Sequence, residues 1–147
     1  MEGSDRTVAY KALHEHVART ITYLKAQGLS DAEIRAVQGI VRRVPVADSV
    51  IDYAVRLVRA TRPAEGTAPE GVKKWVGWGA GPRASQSLVL AAKARALLRG
   101  QTTPSVEDVR ALALPILRHR IVPSFQAEAE GIGTDRILSE LIQQIPS

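Results

Sequence analysis

Trp75-Val-Gly-Trp78-Gly-Ala-Gly81-Pro82-Arg83-Ala-Ser85 is a glycine-punctuated lead-in that opens a long apolar helix and places an arginine in its first turn. Gly77, Gly79 and Gly81 free the incoming backbone, and proline suits the first helical position because the N–H it lacks would have no intrahelical partner. Pro82 therefore predicts a sharp helix start that fixes where Arg83 points, with Gly79, Gly81, Pro82 and Ser85 as its support. An arginine so placed can reach an anion shared with another domain. The plainer alternative is a capped helix whose arginine meets only solvent.

On either side of this stretch, apolar residues recur every three or four positions, as on helices packed by one face. Tyr10, Leu13, Val17, Ile21 and Leu24 predict a helix over about residues 5–27, ended by Gly28. Ser30 with Glu33 is a capping-box pair for a second helix that carries Ile34, Val37 and Val41 and stops at Pro45. A third is predicted from about Ala47 to Thr61 with Ile51, Ala54, Val55 and Val58 inward, closed by Arg62 and Pro63. Residues 63–71 contain two prolines and no periodicity, so they read as a loop. The Pro82 helix presents Leu88, Ala91, Ala92, Arg95 and Leu98 before Gly100 caps it. Thr103 is expected to cap the next helix, with Pro104 at its first position and Val106, Val109, Ala113, Ile116 and Leu117 as its stripe. Pro115 should kink or end that helix near Leu112 to Leu114. A last helix from Thr134 carries Ile137, Leu141, Ile142 and Ile145, and Arg120-Ile-Val122 is the one candidate for a short extended piece.

Composition agrees with a helical bundle. The 147 residues suit one domain and 45% of them are hydrophobic, but only 4% are aromatic. The core must therefore be aliphatic and alanine-rich, which favours closely packed helices over stacked sheets. The absence of cysteine excludes disulfides and thiolate metal sites. No apolar run approaches the roughly 20 residues needed to cross a bilayer, and no signal-peptide core is visible, so the cytoplasm is the expected setting.

Charge is uneven. Residues 83–120 hold seven Lys or Arg against two acids, and residues 121–147 one arginine against four acids. A basic face of this kind supports an alternative reading as a helical nucleic-acid binder, since phosphate attraction needs clustered cations. Against it, there is no confident helix-turn-helix spacing, and Arg95 and Arg99 fit a solvated stripe on an amphipathic helix. A helical adaptor or scaffold is a third reading. His14 and His16 point to different sides of a helix, and His119 is distant and flanked by arginines, so no metal site is expected. Trp75 and Trp78 are expected to cover the start of the Pro82 helix. Glu107 and Asp108 lie in a first helical turn, where they complement the dipole rather than form a catalytic pair, and Ser85 and Ser87 have no identified base. Nucleotide hydrolysis needs a G-x-x-x-x-G-K-[ST] loop and an acidic strand end for magnesium, and neither occurs here.

Four further segments bear on the reading. They are Leu29-Ser-Asp-Ala-Glu33 through Val41-Arg-Arg-Val-Pro45, Asp52 through Arg59-Ala-Thr-Arg62-Pro63, Thr103-Pro-Ser-Val-Glu-Asp108 with Leu117-Arg-His119-Arg120, and Glu128-Ala-Glu-Gly131-Ile-Gly-Thr134-Asp135. Taken in order with the Trp75 to Ser85 stretch, they resemble the helical lid of the MoxR family of AAA+ ATPases over about Leu29 to Ile145. Residues 1–28 match no part of it. The resemblance implies an all-α, AAA+ lid-like bundle of about five to six helices, with residues 1–28 a helix of unknown origin and 29–147 the lid domain. It implies that Arg83 is the sensor-2 arginine, supported by Gly79, Gly81, Pro82 and Ser85, and that the chain holds no catalytic residue and no metal. No cofactor is expected on this chain alone, whereas the intact family protein binds ATP and magnesium. Family members are chaperone-like ATPases that help mature or insert cofactors into partner complexes. The implied partners are an AAA+ core domain and neighbouring ring subunits, with a von Willebrand factor A domain protein as a further candidate; neither membrane nor nucleic acid is expected.

Overall fold

The computed structural model describes Thr22 and residues 25–147. The predicted first helical stripe, Tyr10, Leu13, Val17, Ile21 and Leu24, lies outside the described residues, as do His14 and His16. The chain divides into two compact units, Met1–Ile40 and Val41–Ser147. In the first, the capping box expected from Ser30 and Glu33 is formed: the Glu33 N–H donates to Ser30 Oγ at 3.3 Å and the Ser30 N–H to Glu33 Oε2 at 2.7 Å. It opens helix α1 (Asp31–Arg43), on which Ile34 is buried. Val37, expected on the same stripe, is 53% exposed.

The second unit carries α2 (Asp48–Ala60), α3 (Glu70–Trp75), β1 (Val76–Trp78), α4 (Arg83–Leu98), α5 (Val106–Leu117), β2 (Val122–Pro123), α6 (Phe125–Ala129) and α7 (Thr134–Gln144). The fold is an all-α bundle, as expected, with one antiparallel ribbon in which Val76 faces Pro123 and Trp78 faces Val122. Its core is aliphatic and alanine-rich. On α4 the buried residues are Ala84, Leu88, Ala92 and Ala96, spaced by four, and this helix packs most extensively on α5 through Val109, Ala113 and Leu117. Small side chains on that row let the two helices approach closely. The last helix begins at Thr134, as the sequence predicts, and buries Ile137, Leu138 and Leu141.

Several local expectations are corrected. Leu98 is 90% exposed and Ala96 takes the inward place, because two residues on a helix turn the side chain by about 200°. On α2 the buried set is Val50, Tyr53, Ala54, Leu57 and Val58, while Ile51 and Val55 lie on an exposed flank. Apolar residues at 50, 51, 54, 55, 57 and 58 admit two overlapping stripes, and only packing chooses between them. Ser105, not Thr103, caps α5: Asp108 Oδ2 accepts from the Ser105 N–H at 2.8 Å and the Asp108 N–H donates to Ser105 Oγ at 3.4 Å. Thr103 has Val106 three residues on, so it cannot close such a box. Pro115 does not end α5, which continues to Leu117. It falls in the last turn, where its missing N–H removes one bond while Ala113 and Leu117 stay packed in the core. Gly100 caps α4 as predicted, at φ +71°, with its N–H on Leu97 O and the Gln101 N–H on Ala96 O. The extended pairing of Val76–Trp78 and the short helix α6 lie beyond what periodicity indicates. Among the described residues, no helix is long and apolar enough to cross a membrane.

Candidate functional site

Thr61 and Arg62 directly follow helix α2, and both reach the chain that leads into α4. The Thr61 hydroxyl, buried, donates to Val58 O at 2.6 Å and accepts the Ala80 N–H at 2.9 Å. Arg62 Nε donates to Ala80 O at 2.9 Å, so both backbone groups of this fully buried residue are held by consecutive side chains. Arg62 also contacts Glu65 at 3.5 Å, and Arg59 bonds the same carboxylate at 2.8 Å. The Arg59 guanidinium is the main reason that the Glu65 carboxyl titrates below its usual range. Gly79 is where this approach is closest: a Cβ there would lie 2.6 Å from Thr61 O and 2.7 Å from Arg62 Cα. Pro82, at φ −57° and ψ −31°, is already helical, and the Ala84 and Ser85 N–H groups bond Gly81 O and Pro82 O. The sharp start predicted at Pro82 is therefore present, with the first helical residue assigned to Arg83.

Arg83 is exposed, and its guanidinium makes no hydrogen bond or ion pair among the described residues. It lines a groove of about 650 Å³ between α2 and α4, with Ile51, Val55 and Leu90 as apolar wall and Arg42 and Lys93 as further cations. Lys93 Nζ donates to Arg42 O at 3.3 Å, and Arg120 reaches Ser87 Oγ on the same lining at 3.4 Å. No acid among the described residues lines the groove. Ser85 and Ser87 donate to Pro82 O and Arg83 O of their own helix. The arrangement gathers positive charge around an apolar wall.

The AAA lid domain family model matches residues 70–141, from α3 into α7, and so contains the Gly79–Ser85 segment. The chain carries an AAA lid domain. It is similar to the chaperone MoxR1 of Mycobacterium tuberculosis (strain ATCC 25618 / H37Rv), with 35% identity over 119 residues, 81% of this chain and 32% of that protein. The uncharacterized protein YeaC of Bacillus subtilis (strain 168) is 31% identical over 105 residues, 71% of this chain and 30% of YeaC. A crystal structure of a candidate ATPase from Cytophaga hutchinsonii ATCC 33406 superposes with a TM-score of 0.66 at 35% identity, over 72% of this chain and 32% of that one. The chain spans about a third of the length of each of these relatives. These findings bear out the resemblance to the MoxR lid read from the ordered motifs.

The remaining charges of the lid are largely paired, which corrects the reading of Arg95 and Arg99 as a solvated stripe. Asp108 is 2% exposed, and both arginines contact its Oδ1, Arg99 at 3.3 Å. Burial alone would raise the Asp108 pKa; the Ser105 N–H and hydroxyl together with Arg95 outweigh it and hold the carboxyl below its ordinary range. Arg118 pairs with Asp135 and Arg110 with Glu107, so four of the seven cations in residues 83–120 have an acidic partner, Asp135 alone coming from outside that segment. Trp75 is half-buried against the core with Lys74 and Arg136 over its ring, but Trp78 is 75% exposed and does not cover the helix start. Among the described residues, no cluster of acids and histidines could hold a metal. Sequence reasoning missed Thr61, Arg62 and Asp108. For Asp108 a signal existed in the Ser105-x-x-Asp108 spacing, whereas nothing local shows that Thr61 and Arg62 reach 19 and 18 residues ahead.

Proposed function

We propose that this chain is the lid of a MoxR-type AAA+ ATPase working in the cytoplasm, and that Arg83 is its sensor-2 arginine, completing a nucleotide site supplied by a core domain. The observation that carries this reading is a guanidinium unpaired among the described residues, at a fixed helix start, in a groove whose other charged residues among those described are cationic. Among the described lining residues, three cations without an acidic partner and no carboxylate fit phosphate oxygens and leave magnesium to be held by another domain. ATP, when bound by the core, would supply the triphosphate whose charge Arg83 reads. Because Ala84, Leu88, Ala92 and Ala96 seat α4 in the bundle, a pull on Arg83 turns the lid as a lever and reports nucleotide state to neighbouring ring subunits. A von Willebrand factor A domain protein is a further proposed partner.

In an ATPase carrying this lid, Arg83→Ala is expected to slow the nucleotide-dependent step about ten- to hundredfold, since a charge-assisted contact contributes about 1.5–3 kcal/mol. The exposed side chain makes no contact that folding needs, so the melting temperature should not move. Arg83→Lys should restore only part of the rate, because an ammonium lacks the planar fork. Turnover and lid closure at wild-type levels in the alanine variant would remove the sensor assignment. The chain alone is expected to show no magnesium-dependent ATP hydrolysis, and steady-state phosphate release from pure protein checks this.

A further inference from the structure

We infer that Thr61 and Arg62 are positioning residues for Arg83, forming a clamp that ties the end of α2 to the start of α4; the functional half of this inference rests on the sensor reading of Arg83. The clamp is defined by Ala80, whose N–H and C=O are both taken by these two side chains, at 2.9 Å each, while its methyl group is fully buried. Neither clamping residue is free to relax. The Thr61 hydroxyl is itself fixed by its bond to Val58 O, and Arg62 is steered by Glu65, which Arg59 holds in turn. From Ala80 to Arg83 the chain has two intervening residues, one of them a proline with a fixed φ. Gly81 is the joint on this path with the widest backbone freedom, since glycine carries no Cβ. With Ala80 released, rotation at Gly81 would be opposed only by the first turn of α4. With Ala80 clamped, the direction of Arg83 is set by α2. The sensor is thereby coupled to the helix that forms the opposite wall of its groove through Ile51 and Val55.

Two measurements test the inference separately from the sensor reading. The first is amide hydrogen exchange on the full chain carrying Thr61→Val, which keeps the shape of the side chain and removes the hydroxyl, or Arg62→Met, which changes a partly exposed residue and serves if the valine variant does not fold. Exchange at Ala80 and Ala84 should quicken by about two- to tenfold relative to core amides such as Leu88. Thr61→Ser should return it to the wild-type rate. Unchanged exchange at Ala80 and Ala84 in folded variants would overturn the clamp. The second is a double-mutant cycle on turnover in an ATPase carrying the lid. Thr61→Val should slow the nucleotide-dependent step when Arg83 is present and add little when position 83 is alanine, because the two act as one unit. Equal slowing in both backgrounds would show that Thr61 does not act through Arg83. If Arg83→Ala alone leaves turnover unchanged, the sensor reading fails while the exchange measurement still decides the clamp.

Discussion

Alanine at position 79 is expected to destabilise the second unit by about 2–4 kcal/mol. The added methyl group would sit 2.6 Å from Thr61 O and 2.7 Å from Arg62 Cα. Both are backbone atoms at the end of a packed helix, so no rotamer change relieves the contact and the two chain segments must separate. Such overpacking costs about 1–3 kcal/mol, and the separation also strains the two bonds to Ala80, each contributing about 1 kcal/mol. For a domain of this size the melting temperature should fall by more than about 10 °C. Gly81→Ala is the matched control: the methyl would enter open space and the backbone is not in the left-handed region, so its effect should stay within about 1 kcal/mol in either direction. Urea melts of the two variants side by side settle the matter. Equal stability for both would mean that the approach of Thr61 and Arg62 to Gly79 does not constrain the fold.

Asp108→Ala is expected to cost a comparable amount, about 2–4 kcal/mol, through the loss of a cap and of a shared ion-pair partner at one side chain. It removes the Ser105–Asp108 capping box, typically worth about 1 kcal/mol. It also removes the one carboxylate between Arg95 and Arg99. Breaking a buried pair costs about 3–5 kcal/mol when the partner charge stays buried, but Arg95 and Arg99 remain 33% and 55% exposed and can rehydrate, which sets the lower figure. Asp108→Asn, which keeps the shape and part of the cap, should fall between wild type and alanine. A pH signature follows from the lowered pKa of Asp108. The folded state favours the ionised carboxylate, so its stabilisation is fully present above the ordinary aspartate value of 3.8 and is lost as pH falls through the depressed value of the folded state. The difference in unfolding free energy between wild type and Asp108→Ala should therefore be constant near neutrality and shrink in acid. A difference that stays constant down to pH 2 would show that the charge of Asp108 does not contribute.

The elements of this lid were largely legible because their signals are local. The Ser30–Glu33 box, Gly100 after α4, Pro82 before Arg83 and Thr134 opening α7 each depend on bonds within one helical turn, and each is found where the spacing places it. Local rules failed where two readings fit equally well. Thr103 and Ser105 are both good caps by type, and the choice fell to the one with an acid three residues on. Arg95 and Arg99 look the same in sequence whether they face water or an acid on another helix. The site divides along the same line: Arg83 could be singled out from its own turn and Lys93 shares its helix, but Ile51 and Val55 join them only because α2 and α4 pack side by side.

What the sequence by itself determined was the helical content, the aliphatic core and the start of the helix that carries Arg83, since periodicity, caps and a fixed proline φ act over at most a few residues. Which face of α2 turns inward, which arginines are neutralised by Asp108 and which remain free in the groove were decided only by tertiary structure. So was the hold of Thr61 and Arg62 on Ala80. Those outcomes depend on contacts between residues far apart in the chain, whose partners no local pattern specifies and whose geometry exists only after the helices have packed.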